Sequence, residues 1–324
     1  MHLLMLFLDG VGIGKRDSWI NPFFAANLPT LKTLLGSQLP SLRNRFVSTP
    51  LATLVPLDAT LGVSGLPQSG TGQTALFTGV NAAKLIGRHF GPYPHSALRP
   101  VIEEKNIFQR LLKAGRRPYF ANAFPQRFFD YMNGHQARRS VTTLSCMLSG
   151  VPLCRYDELR KGMAISADIT NAAWPGLGYP DIKPIEPHEA GRRLAHLTTQ
   201  YDFVLFEYWI TDKTGHSSNL EEAIEVLERF DAMLGGILDN LDKRSTVLIT
   251  SDHGNIEDMS TKTHTRNPVP LIVTGGDHHL RDELVSFRGD LTCVPSLILK
   301  MLSKKQSLSH NPLRTTSSRS KVAG

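Results

Sequence analysis

The sequence predicts an α/β fold built on a central, mostly parallel sheet, and three observations carry that expectation. Residues 3–8, 203–209 and 246–249 are short, nearly continuous apolar runs, the pattern of strands buried on both faces. Each run leads into an aspartate, namely Asp9, Asp212 and Asp252. A helical pattern lies between the second and third runs, so strand, helix and strand alternate as in a βαβ unit.

Taken in chain order, the opening run at 3–8 is broken by Asp9 and Gly10 and lacks a basic leader or a small-residue cleavage site. It reads as a first buried strand rather than a secretory signal or a membrane span. Residues 65–79 carry Pro67 and Gly65 as punctuation and then a helical apolar stretch. A helix is expected at 107–113, where Phe108, Leu111 and Leu112 share a face, and another at 189–197 with Leu194 and Leu197. The strongest helical pattern begins at the Ser218/Asn219 cap and runs through Ala223, Ile224, Leu227, Phe230 and Leu234. A last strand is expected at 271–274, with Pro268 and Pro270 stiffening the chain before it. Residues 175–187 and 303–324 read as loop, and no internal repeat is present. His278 and His279, in a Gly-Gly-Asp context, are expected in a solvated loop.

The expected organisation is one catalytic unit over residues 1–302, with a small insertion around 125–160, and a disordered basic tail over 303–324. At 324 residues and 41% hydrophobic content the chain has material for a full core. The net charge of +7 is concentrated at the end: no acid follows Asp290, whereas Lys300, Lys304, Lys305, Arg314, Arg319 and Lys321 do, leaving the body at +1. The basic balance therefore describes the tail, not a nucleic-acid-binding surface. Cys146, Cys154 and Cys293 are odd in number and lack metal-like spacing, which suits buried thiols in the cytoplasm.

The chemistry lies at the strand ends, where open α/β sheets place their ligands. Asp212 and His216 stand four residues apart, a spacing that brings both onto one ion, and Asp252 and His253 are adjacent, with Gly254 permitting a tight path. His264 follows eleven residues later, before the last strand. With Asp9 these make three carboxylates and three imidazoles, a set that suits two divalent ions such as zinc or manganese. Taken singly, Asp9 could cap a turn and a lone histidine could be structural; it is the joint occurrence that points to metal. Ser69 stands at the start of a helix, where free N–H groups and the helix dipole favour a bound phosphate. Thr71 is the rival hydroxyl in the same segment.

The order Asp, Ser, Asp-x-x-x-His, Asp-His-Gly-Asn, His-Thr-x-Asn-Pro-Val-Pro resembles the cofactor-independent phosphoglycerate mutases and, more loosely, the phosphopentomutases of the alkaline phosphatase superfamily. That resemblance implies an alkaline-phosphatase-like three-layer sandwich with a small lid or insertion. It implies Ser69 as the phosphorylated nucleophile, one ion held by Asp9, Ser69, Asp252 and His253, and a second held by Asp212, His216 and His264. Two departures stand out. Gly72 is followed by Gln73 where the mutases continue Gly-His, and the stretch between Gly79 and the strand at 203 is shorter than the mutase insertion.

These readings predict a two-metal phosphoryl-transfer enzyme, a hydrolase of a small phosphate ester or diester, with a phosphosugar or phosphoglycerate mutase as the alternative. A non-catalytic anion-binding protein is the third reading, and the intact ligand set argues against it. Gln73, Arg88 and Arg266 are the expected substrate contacts, with His89, Arg127, Arg138 and Arg139 as further cations near the motifs. The expected partner is a small phosphorylated substrate, with no membrane and no specific nucleic acid, bound by a monomer.

Overall fold

The computed structural model describes residues 1–303 apart from 135 and 277. Its strands are β1 (His2–Leu8), β2 (Val47–Ser48), β3 (Ala52–Asp58), β4 (Pro118–Phe120), β5 (Phe203–Tyr208), β6 (Ser245–Thr250), β7 (Val269–Gly275) and β8 (Gly289–Asp290). They form one sheet in the order β2-β3-β7-β6-β1-β5-β4, with β8 beside β3. β1 is central and parallel to both β5 and β6, with Leu3 opposite Phe203 and Thr246. β4 extends the parallel set beyond β5. β7 is antiparallel to both of its neighbours, β6 and β3, so β3 runs in the same direction as β6.

The alternation of side chains along the strands divides the core into two layers. Leu3, Met5 and Phe7 of β1 join Phe203 and Leu205 of β5 on one face, packed with Leu76 and Phe77 of the helix Ser69–Thr78 and with Ile298 of the helix Val294–Ser303. Leu4, Leu6 and Leu8 face the other way with Val204 and Phe206, against the helices Pro187–Leu197 and Leu220–Asn240. The architecture is therefore helix, sheet, helix, the α/β sandwich expected. Ala123, Cys154, Leu159, Ala164, Trp174 and Ile182 make a small separate apolar cluster, of which only Cys154 and Leu159 lie within 125–160.

The helix Leu220–Asn240 shows how the sequence specifies an element. Asn219 caps it, its side chain accepting the Glu222 amide at 3.2 Å, and Glu221 and Glu222 place negative charge at the positive end of the dipole. Ala223, Val226, Leu227, Phe230, Met233, Leu234 and Ile237 form its buried stripe. Two glycines set how closely it meets its neighbour: a Cβ on Gly191 would lie 2.0 Å from the Met233 carbonyl oxygen, and one on Gly236 2.0 Å from that of His188.

The helix expected at 107–113 is Ile107–Lys113, and that expected at 189–197 is Pro187–Leu197. β2 and β3 were not expected, nor were the helices Gln126–Met132 and Val141–Ser149. His278 and His279, expected in a loop, instead open the helix His278–Val285, which buried Leu284 anchors to the core. All three thiols are free, with Cys146 and Cys154 buried and Cys293 half-buried. Burial pushes the Cys154 and Cys293 thiols up to about 12. Beyond Ser303, the tail expected to be disordered lies outside the described residues. Among the described residues no helix is long and apolar enough to cross a membrane.

Candidate metal centre and nucleophile

The sheet topology brings the ligand candidates to one edge. β1, β5 and β6 are parallel and end together, which places Asp9, the short helix Ile210–Gly215 carrying Asp212, and Asp252-His253 side by side. His264 reaches the same edge by a different route. It precedes β7, and because β7 is reversed its entrance lies where the other strands exit. β3 runs with β6, so the chain leaving it also heads to this edge and delivers Ser69 at the start of the helix Ser69–Thr78.

Ligand atoms of Asp9, Asp252 and His253 lie within 4.8 Å of one another, as do those of Asp212, His253 and His264. His216 joins the second group, its Nε2 standing 3.3 Å from Asp212 Oδ2 and 3.1 Å from His264 Nε2. The His253 and His264 rings stack at 3.8 Å. Ser69 Oγ is 3.0 Å from His253 Nε2. All six expected ligands and the serine thus gather in one cluster. His253 lies within reach of both groups, whereas the resemblance assigns it to Asp9's.

The acids are buried around His253, whose Nε2 stands 3.4 Å from Asp9 Oδ1 and 3.5 Å from Asp252 Oδ2. Burial, reinforced by Asp252, pushes Asp9 up to about 8. Asp252 is raised chiefly by burial, although His253 opposes the shift. Burial disfavours charge on His253, but Asp252, Asp9 and Asp212 outweigh it and hold the imidazole at about 10. His264 moves the other way, down to about 4, through burial and then the charge of His253. Asp9 Oδ1 and Asp252 Oδ2 are buried and accept no hydrogen bond, an arrangement costly without a positive partner. Oxygen and imidazole donors of this kind suit a divalent ion.

Two glycines allow the segment carrying Ser69 to pack so closely. A Cβ on Gly70 would lie 2.3 Å from the Tyr93 carbonyl oxygen, and one on Gly72 2.7 Å from that of Asp252. Thr71, the rival hydroxyl, is fully buried and committed: it donates to the Gln68 carbonyl at 3.1 Å and accepts the Phe90 amide at 3.2 Å. Gln73, expected at the substrate, is buried and donates its amide to Asp9 Oδ2 at 3.2 Å, so it orients a carboxylate in this structure.

Arg88 and Arg266 are exposed. The Arg88 guanidinium sits 5.8 Å from the centre of the Phe90 ring, and Arg266 bears on His89, whose pKa is lowered mainly by burial. Arg138 lies 5.9 Å over Tyr93, Arg139 donates to the carbonyls of Met132 and Ala137, and Arg127 is exposed.

Several supporting residues were not singled out from the sequence. Asn255 donates to Asp212 Oδ1 at 2.6 Å, Thr211 donates to the Asp9 carbonyl at 2.5 Å, and Ser251 accepts the Val11 amide at 2.8 Å. Glu207, buried at the end of β5, is raised to about 8 by burial and then by Asp9. Adjacency to Asp212 and Asp252 in sequence was the available signal for Thr211 and Ser251; Glu207 carried none.

A family model described as Metalloenzyme superfamily matches residues 187–306. A 2,3-bisphosphoglycerate-independent phosphoglycerate mutase of Pyrococcus abyssi is 40% identical over 86 residues, covering 26% of this chain and 20% of that protein. The chain thus spans about a fifth of the length of the curated relative it matches. Among solved structures, the PH0037 protein of Pyrococcus horikoshii superposes with a TM-score of 0.57 at 15% identity, covering 94% of this chain and 98% of that one. A cold-active alkaline phosphatase of Shewanella sp. superposes with a TM-score of 0.52 at 11% identity, covering 94% and 100%. Sequence match and fold agree: residues 187–306 match the metalloenzyme superfamily, and the chain has the fold of the alkaline phosphatases and resembles the cofactor-independent phosphoglycerate mutases.

Proposed function

We propose that the protein hydrolyses a small phosphate ester or diester in two displacements, with Ser69 carrying the phosphoryl group between them. The observation that carries this reading is the Ser69 hydroxyl at a helix start, 3.0 Å from His253 Nε2, inside a cluster of six potential ligands. Asp9, Ser69, Asp252 and His253 would hold one divalent ion, and Asp212, His216 and His264 the other. Bound there, zinc or manganese ions supply charge neutralisation at the phosphoryl oxygens and lower the pKa of a coordinated hydroxyl.

The remaining roles belong to the chain. Gln73 and Asn255 hold Asp9 and Asp212 in orientation through their side-chain amides. Ser69 and Gly70 open the helix, where backbone N–H groups lack intrahelical partners and face incoming negative charge. Ser69 Oγ gives its proton to solvent and attacks phosphorus, and the bond from phosphorus to the ester oxygen breaks as that oxygen takes up a proton from water. Water then attacks the phosphoserine, releasing inorganic phosphate from a monoester, or a phosphate monoester from a diester, and restoring Ser69. Thr71 takes no part, since its hydroxyl is already bonded on both sides.

A second reading, phosphomutase, is favoured by the similarity to phosphoglycerate mutases. A mutase must retain its dephosphorylated intermediate, which calls for a closing lid, and the stretch between Gly79 and β5 is shorter than the mutase insertion and gives residues such as Val141 and Leu144 to the main core. That favours hydrolysis. The free thiols suit a reducing cytoplasm, and the reading needs neither a second copy nor a nucleic acid.

Ser69→Ala should remove most turnover, by about a hundredfold or more, while metal content by elemental analysis stays close to wild type. Rapid quenching with a phosphorylated substrate should place phosphate on Ser69. Label on Thr71, or near-normal turnover in Ser69→Ala, would sink the mechanism. Including 3-phosphoglycerate and ribose 1-phosphate among the substrates separates mutase from hydrolase.

A further inference from the structure

We propose that Glu257 is a positioning residue that couples the two ligand groups, one carboxylate oxygen serving each. Oε2 accepts the amides of Gly12 at 2.8 Å and Asn255 at 2.7 Å. Oε1 accepts the Asn267 side-chain amide at 3.0 Å and the Thr265 hydroxyl. Gly12 lies three residues after Asp9, Asn255 two after His253, and Thr265 next to His264. The first oxygen therefore joins the Asp9 loop to the Asp252-His253 loop, and the second ties both to the His264 loop. Asn255, held by Glu257 through its backbone, in turn holds Asp212 through its side chain.

This carboxylate is fully buried, and among the described residues no Lys, Arg or His forms an ion pair with it. Its four partners are all donors, so it acts purely as an acceptor joining three loops. Gly12 and Gly14 of the opening loop, which carries neither a dinucleotide fingerprint nor a P-loop, have their explanation here. A Cβ on Gly12 would lie 2.3 Å from Glu257 Oε1, one on Gly254 2.2 Å from Thr265 Oγ1 and 2.3 Å from Glu257 Oε1, and one on Gly14 2.6 Å from the Glu257 carbonyl oxygen. Both glycine-containing ligand motifs are shaped to admit one glutamate.

The geometry stands by itself, while its effect on metal binding rests on the two-ion reading. Partners that orient metal ligands contribute about 10- to 100-fold in affinity. In Glu257→Gln, folded by circular dichroism, Mn2+ affinity should drop by about that factor. Amide hydrogen exchange in metal-free protein should quicken together at residues 10–14 and 263–267. Thr265→Val removes one donor on the Oε1 side and should quicken 263–267 alone, with a smaller loss of affinity.

Exchange that rises in only one loop of Glu257→Gln, or Mn2+ affinity within threefold of wild type, overturns the proposal. Should Glu257→Gln not fold, Thr265→Val and Asn267→Ala carry the test, and wild-type exchange and affinity in both would overturn it. Wild-type protein that binds no Mn2+ defeats the two-ion reading, and hydrogen exchange then decides the role of Glu257 alone.

Discussion

Buried acids give the site a pH dependence of definite sign. In metal-free protein Asp9 and Glu207 are raised to about 8 and His253 to about 10. For each, the folded state holds a proton that the unfolded chain has released over part of the neutral range, so stability declines as pH rises. His264, lowered to about 4, acts oppositely, but only up to its ordinary value of 6.5. The clean window is therefore pH 6.5 to 8, where the metal-free protein should show a falling Tm. Saturating divalent ion should flatten that slope, since a bound cation favours the ionised carboxylates. A flat metal-free profile across the window would contradict the burial of these groups. The six candidate ligands were legible in the sequence because Asp9, Asp212 and Asp252 each follow an apolar strand run, and His216, His253 and His264 lie four, one and twelve residues after one of these acids. Gln73, Asn255 and Glu257 were not assigned these roles, because a polar residue acquires a distant partner only through tertiary geometry: Gln73 meets Asp9 across 64 positions and Glu257 meets Gly12 across 245.

Between elements, the tightest constraint is the crossing of Pro187–Leu197 and Leu220–Asn240. The backbones meet at Gly191 and Gly236, where an added methyl would overlap carbonyl oxygens that cannot swing aside. Gly191→Ala should cost about 1–3 kcal/mol or more in denaturant unfolding, although alanine is the better helix former in isolation. An unchanged midpoint would mean that the helices separate at little cost. The helices with an apolar stripe were readable from their periodicity. β3 was not, because its run Ala-Thr-Leu-Val-Pro-Leu-Asp contains Pro56, which argues against an interior strand. Pro56 is tolerated opposite Pro270 of β7, a register that only the assembled sheet reveals.

At the scale of the whole molecule, candidate ligands drawn from positions 9 to 264 meet only when the sheet is complete. Metal binding and global folding should therefore be linked: at one hundred times Kd, a single ion adds about 2.7 kcal/mol. The measurement is a rise in Tm with Mn2+ that EDTA reverses. The parallel core was foreseeable from the buried runs at 3–8, 203–209 and 246–249, whereas the reversal of β7 was not, since an apolar run has the same appearance in either direction. That reversed strand also imposes an order of assembly. β7 is inserted between β3 and β6, so β3 has no seat in the central sheet until residues 269–275 exist. The serine encoded at position 69 thus waits, during synthesis, for one of the last strands to be made before it can dock against Asp9 and His253. A growing chain carries Ser69 early but without its neighbours.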